Sequence, residues 1–369
     1  MRSGGTGSAA LAADVSARRF AAQLLAGEPA RSAEAVVQRL LAVQGQDPRG
    51  VRLAIRPRSS GQTAADVDRA LTLDRSLVIT WLNRGTLHLV AAEDFFWLHD
   101  LTAPRMAAGI ERRLAQEGVT PAEADRAVTV IARALADAPL TRAGLAERIA
   151  ATGVETRGQA IVYLLALASL RGLIVRGPVV SLEQAFVLVR DWLGERPRGC
   201  PEGVVALAEL ARRYLAGHGP ASDRDLARWS GLSLGQARRG LAALGGELAD
   251  RLDGLAELAK PSSPAELAGP GSVSGLAMPP PRLLGAFDPV LFGWESREPI
   301  LGGHQGIITV NGIFRPFALV EGRAAATWTL TGGRVKTTPL REIASRQERA
   351  LAEDAGDVLR FLAPGGQGR

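Results

Sequence analysis

The sequence predicts a mainly α-helical protein with small β elements (α+β): three tandem winged-helix units followed by a small C-terminal β-barrel or sheet. Three observations carry this expectation. Ala-, Leu- and Arg-rich stretches keep apolar residues at helical spacing and are cut short by Gly and Pro, so the helices are many and brief. A pattern of helix, turn, helix and short β-prone run recurs along the first two thirds of the chain. Beyond the Pro/Gly/Ser-rich stretch KPSSPAELAGPGSVSGLAMPPP the character changes to short β-runs separated by Asn311-Gly312 and Glu321-Gly322, pairs that favour hairpin turns.

The first unit is expected over residues 15–100. Its opening, MRSGGTGSAALAADVSARRF, lacks an apolar h-region and reads as a loose tail before a helix rather than a signal peptide. SARRFAAQLLAG and RSAEAVVQRLLAV are helices, and VDRALTLDRSLVITWLNRGTLHLV is a helix and then a wing turning at Asn83-Arg84-Gly85. The second unit, 120–195, is the clearest. Thr141 caps a helix over RAGLAERIA, a second helix runs from about Gln159 to Leu170, and RGLIVRGPVVSL supplies two β-runs about a Gly-Pro turn. In the third unit, 203–262, Ser222 caps DRDLARWSG and QARRGLAAL follows, with Arg238 and Arg239 adjacent near its start. A β-rich segment over 280–340 and a terminal helix and tail over 341–369 complete the chain.

A net charge of +6 favours polyanionic partners. No apolar run reaches the roughly 18 residues of a membrane span. Cys200 is the only cysteine, which fits a reducing, cytoplasmic and nucleoid-associated location. His88, His99, His218 and His304 are dispersed, with no second His or Cys at metal-ligand spacing, so no metal is expected, and with it the zinc chemistry of nucleobase deaminases is set aside. Lys260 and Lys336 are the only lysines, leaving few amines for covalent Schiff-base catalysis.

The least ordinary run is LLAVQGQDPRGVRLAIRP. The helix through Leu40 and Leu41 should end near Val43, and Asp47-Pro48 is a helix start, Asp at the N-cap and Pro at the first helical position. Gln44 and Gln46 then lie in an elbow between helices, where an extended backbone turns residues two apart the same way. Gly45 would permit a tight turn there. Arg49, Arg52 and Arg56 recur at three and four residues and would form a basic face beside two convergent amides. Spacing alone leaves open that the glutamines only satisfy free backbone groups at helix ends.

VQGQDP, TWLNRGTLHLV and LLGAFDPVLFGW…FRPFALVEGRAAATW resemble the winged-helix DNA glycosylases of the AlkZ/YcaQ (AlkX) type, over about Val15 to Leu330 and in the family's order. The resemblance implies three tandem winged helices with a small β-barrel, forming a basic cradle for duplex DNA. It also implies that the family's catalytic Gln-aliphatic-Gln motif falls on Gln44 and Gln46, with Gly45 departing from the aliphatic residue between them. The expected activity is monofunctional base excision of N7-alkylguanine adducts, bulky or crosslinked, by a water that the two amides position. No cofactor is expected; the partner is double-stranded DNA carrying an alkylated purine, met by a monomer. Arg49, Arg52, Arg56, Arg84, Arg238 and Arg239 are expected phosphate contacts. His88, placed by strand alternation with Thr86 on the polar face of the wing, is expected to reach a phosphate or the abasic sugar, or else to bond within the wing. Asp288 and Trp328 read as structural, a turn and a core residue. Two alternatives remain open: a winged-helix transcription regulator, which would bind DNA but release no base, and a non-catalytic damage-binding protein.

Overall fold

The structure is a computed structural model and describes residues 4–180, 183–259 and 277–363. The chain opens with α1 (Gly4–Ala22), so helix already occupies much of the stretch expected to be a loose tail. α2 (Ala33–Leu40), the extended pair β1 (Val43–Gln44) and α3 (Pro48–Ile55) follow. α4 (Ala64–Thr72) leads to the hairpin of β2 (Leu77–Leu82) and β3 (Thr86–Ala91), turning at Asn83–Gly85 as the sequence suggested. The long helix α5 (Phe95–Gln116), which no sequence signal singled out, carries Pro104 in its interior. Next come α6 (Pro121–Asp137), α7 (Arg142–Ala150), α8 (Ala160–Leu170), β4 (Ile174–Val180), β5 (Glu183–Leu188) and the short α9 (Val189–Trp192). α10 (Gly203–His218), α11 (Asp223–Ser230) and α12 (Leu234–Ala242) precede the C-terminal elements β6 (Arg282–Leu284), α13 (Glu298–Leu301), β7 (Phe317–Val320), β8 (Arg323–Thr331), β9 (Arg334–Pro339) and α14 (Ser345–Leu362).

These elements fall into two compact units, one of residues 1–67, 207–229 and 233–369, the other of 68–206 with 230–232. The second unit is organised around α8, apolar on every side and buried along its length, as a helix without a polar face must be. α5, α6 and α7 enclose it, and Ile110, Leu114, Ile131, Leu145, Leu164 and Phe186 are core. Thr141 caps α7 by accepting from the Gly144 amide, as expected. The β4–β5 hairpin is present, yet Gly177-Pro178 is not its turn. The pair lies inside β4, where the register with β5 shifts between Arg176 and Val179, and a Cβ on Gly177 would stand 2.6 Å from Val187.

In the other unit, Ser233 and Gln236 form a reciprocal capping box that starts α12. The run after α12 forms isolated bridges, Leu248 with Leu258 and Ala221 with Ala256, rather than a named hairpin. The C-terminal strands form an open antiparallel sheet in the order β6-β7-β8-β9. Of the expected barrel or sheet, the sheet is what forms: among the described residues β6 and β9 are its edges and do not pair. Glu321 (φ 52°) and Gly322 (φ 73°) make the turn from β7 to β8. Asn311-Gly312 sits in a smaller turn closed by one bridge, Ile308 to Phe314. α14 packs on β6 and buries Leu351, Val358 and Phe361. Among the described residues no helix is long and apolar enough to cross a membrane.

Candidate active site

The elbow between α2 and α3 is built largely as its residues dictate. Ser32 caps α2. The chain leaves that helix through Leu41, whose φ of 62° makes the reversal, so the positive-φ turn falls there and not at Gly45, which is buried. Asp47 accepts from the Gly50 amide at 2.5 Å, and Pro48 occupies the first helical position. Its carboxylate is thus committed to starting α3.

Gln44 and Gln46 do converge. Gln44 is 5% exposed while Gln46 faces solvent, and Gln44 Nε2 donates to Gln46 Oε1. One amide is held in the protein and the other is presented at the surface. The backbone here is tightly backed. A Cβ on Gly50 would meet the Ala286 carbonyl oxygen at 2.2 Å, and one on Gly285 would lie 2.9 Å from the Leu53 Cβ, so only glycine lets the two segments approach.

The expected basic face of α3 divides. Arg49 is exposed, and Arg52 is half-buried with Nη1 donating back to the Pro48 carbonyl at 2.5 Å. Arg56 is corrected from phosphate contact to buried anchor: it is 4% exposed, with Nη1 and Nη2 2.9 and 2.8 Å from the two Asp354 oxygens. Nη1 also reaches Asp357 at 2.7 Å, and Nη2 the Leu283 carbonyl at 2.7 Å. Its spacing from Arg52 and Arg49 is helical as expected, but the neighbouring carboxylates of α14 come from almost three hundred residues along the chain.

Arg58, not singled out in the sequence, is sealed completely. Nε donates to the Gln23 carbonyl, Nη1 to the Ala54 carbonyl and Asp288 Oδ2, and Nη2 to Gln23 Oε1 and Asp288 Oδ1, at 2.7–3.1 Å. All five guanidinium N–H donors are met. A signal for it existed: Arg58 falls four residues after Ala54 and three after Ile55, so the turn that follows α3 continues its apolar stripe onto Arg58. Asp288 and Trp328 hold the structural places expected of them. Asp288 also accepts from the Val290 amide at 3.0 Å, and Trp328 donates from Nε1 to the Leu284 carbonyl at 2.8 Å.

In the other unit, the expected DNA contact by His88 is corrected. His88 is 2% exposed, and β2 opposite it is buried at every position from Leu77 to Leu82, residues of both faces alike, so this wing is covered on both sides. With Nδ1 2.9 Å from the Thr86 carbonyl and Nε2 3.4 Å from Arg84 Nη2, the neutral ring donates to one and accepts from the other. Burial first, and the Arg84 charge second, lower its pKa to about 3, against the hydrogen bond to Thr86. Arg84 (φ 58°) is half-buried and turned toward His88. Its backbone is so close to Gly231 that a Cβ there would stand 2.8 Å from the Arg84 nitrogen. Arg238 and Arg239 are exposed on α12, and Arg238 Nε bonds Asp223 at 2.7 Å. Among the described residues no group of three or more His, Cys, Asp or Glu side chains could hold a metal ion.

Comparison with known proteins gives this arrangement a context. The chain is 27% identical over 361 residues to the interstrand DNA cross-link repair glycosylase of Streptomyces sahachiroi, covering 94% of this chain and 95% of that protein. It matches the solved structure of Streptomyces sahachiroi DNA glycosylase AlkZ with a TM-score of 0.77 at 26% identity, over 95% of this chain and 96% of that one. A family profile described as DNA glycosylase AlkZ-like matches residues 37–361, from the elbow through the C-terminal helix. The chain belongs to the AlkZ-like family of DNA glycosylases, hydrolases of N-glycosyl bonds.

Proposed function

We propose that the protein is a monofunctional glycosylase that releases N7-alkylguanine, including the bulky or crosslinked adduct, from duplex DNA through a water held by Gln44 and Gln46. The observation that carries the reading is the direct contact of the two amides at the elbow, one buried and one exposed. The crosslink-repair name of the Streptomyces sahachiroi relative supports a bulky lesion. We read the recurring helix pairs as three winged-helix units that meet one duplex, with Arg49, Arg52, Arg238 and Arg239 on its phosphates and the protein acting as a monomer.

An N7-alkylated guanine carries a positive charge and leaves readily. As the C1′–N9 bond breaks, its electron pair passes to N9 and neutralises the base, while positive charge develops on the sugar as in glycoside hydrolysis. The water oxygen then bonds C1′ and releases its proton to solvent. Glutamine does not accept a proton at neutral pH, so the amides act by orientation and by their carbonyl dipoles. Nothing in these steps calls on a metal or nucleotide.

Gln44→Ala and Gln46→Ala are each expected to slow excision of N7-methylguanine by roughly 100- to 1,000-fold, the cost of one positioned electrostatic contact. Binding of the damaged duplex should be nearly unchanged. The paired variant should lose little more than the worse single one, because groups that hold one water act as a unit. Single-turnover excision beside equilibrium binding measures both. The product should be an abasic site in an intact strand, and borohydride should trap no covalent complex. A trapped adduct, or wild-type excision by the paired variant, would sink this mechanism.

A further inference from the structure

One surface beside the elbow has no part in the water chemistry. From β6 onward, the chain runs along α3 toward its N-terminal end: Leu283 in the strand meets Arg56, Gly285 lies against Leu53, and the Ala286 carbonyl lies against Gly50. It turns at Ala286-Phe287 and returns to Asp288, which Arg58 clamps. The turn therefore stands at the end of α3 where Gln46 and Asp47 are. Its second residue is Phe287, held at φ 57°. A bulky aromatic in the left-handed region is strained and persists only because its neighbours over-determine it; such residues cluster at functional sites. Phe287 is half-buried, as is Phe292. Their rings stack 6.3 Å apart at 13°, and Phe314 packs beneath at 5.3 and 4.5 Å. Arg297 lies 5.6 and 5.3 Å over Phe292 and Phe314; among the described residues, Phe287 has no such cation on its ring.

We propose that Phe287, backed by Phe292 and Phe314, is the stacking surface for the base, and that it favours cationic N7-alkylpurines over neutral ones. The proposal rests on the functional reading above. An aromatic face attracts a cation as well as stacking with a base, and the attraction fades once the released base is neutral. The same surface would therefore bind the lesion and let the product go.

The test exploits the backbone. Phe287→Gly removes the ring and relieves the strained φ together, so the variant should melt no lower than the wild type. Removing one base–aromatic stack corresponds to roughly 5- to 150-fold, expected here as weaker half-saturation in single-turnover excision of N7-methylguanine. Undamaged duplex should bind as before, and Phe287→Tyr should retain activity. Phe287→Gly that excises like the wild type, or that loses activity only alongside a lower melting temperature, overturns the stacking role. A wild-type protein that releases no N7-methylguanine overturns the functional reading, and this proposal with it.

Discussion

α3 starts beside Gln46 and Arg49, both in solvent, and just past its last residue the chain carries Arg56 and Arg58, closed in among carboxylates. Both ends use long polar side chains at helical spacing. What separates them is what the rest of the chain brings. Asp354 and Asp357 of α14 reach Arg56, and Asp288 reaches Arg58, while nothing among the described residues forms an ion pair with Arg49. The closed end fixes the helix in the unit, and the open end carries the candidate chemistry. The proposed water would have to be held to a fraction of an ångström, and a site mounted on a fixed helix serves that proposal.

The largest expected effect breaks the closed end. Arg58→Met leaves Asp288 as a buried charge without its partner, which costs about 3–5 kcal/mol when a buried pair loses one member. The urea midpoint should fall accordingly. Arg58→Met with Asp288→Leu should recover most of that loss, since a buried pair replaced by apolar groups is often neutral. A single variant as stable as the wild type would mean that this end of α3 is no anchor.

The same contrast shows what could be read from sequence and what could not. Local signals read well: the Asp47-Pro48 start of α3, the Thr141 cap of α7 and the Asn83–Gly85 turn are all decided within a few residues. The convergence of Gln44 and Gln46 was legible for the same reason, because the two residues are separated only by Gly45 in the short run between α2 and α3. Burial that depends on distant partners was not legible. Arg56 looked exposed until α14 supplied its carboxylates, and His88 looked polar-faced although the hairpin is covered on both sides. The choice between barrel and sheet stayed open for a related reason: hairpin signals announce turns, but closure requires β9 to meet β6, and no local residue specifies that.

Proton linkage offers a second way to sharpen the comparison, now between polar groups that stay buried and those that stay wet. His88 and His218 are buried, and burial is the first cause that lowers each pKa to about 3. In the unfolded chain a histidine titrates near 6.5. Below that value the unfolded state takes up protons that the folded state refuses. Their contribution is therefore full above pH 6.5 and is lost as pH falls from there toward 3. Each should remove about 2 kcal/mol between pH 7 and pH 5. Urea midpoints of His218→Gln should change less over that interval than those of the wild type. An identical pH dependence would show that this histidine is not kept neutral.

The smallest effects belong to the exposed arginines. Arg49→Ala and Arg52→Ala should weaken duplex binding with little dependence on sequence, and the slope of log K against log salt should fall by roughly 0.9 for each phosphate no longer neutralised. On α12 the two neighbours should differ. Arg238 already bonds Asp223, an exposed pair of the kind worth only about 0.2–1 kcal/mol, so engaging DNA would require it to leave a partner. Arg239 has no ion pair among the described residues and should account for more of the binding. Duplex titrations across salt with each single variant separate the two. Equal weakening would mean that the Asp223 pair opens at no cost, and an unchanged slope in every variant would show that neither α3 nor α12 meets the phosphates.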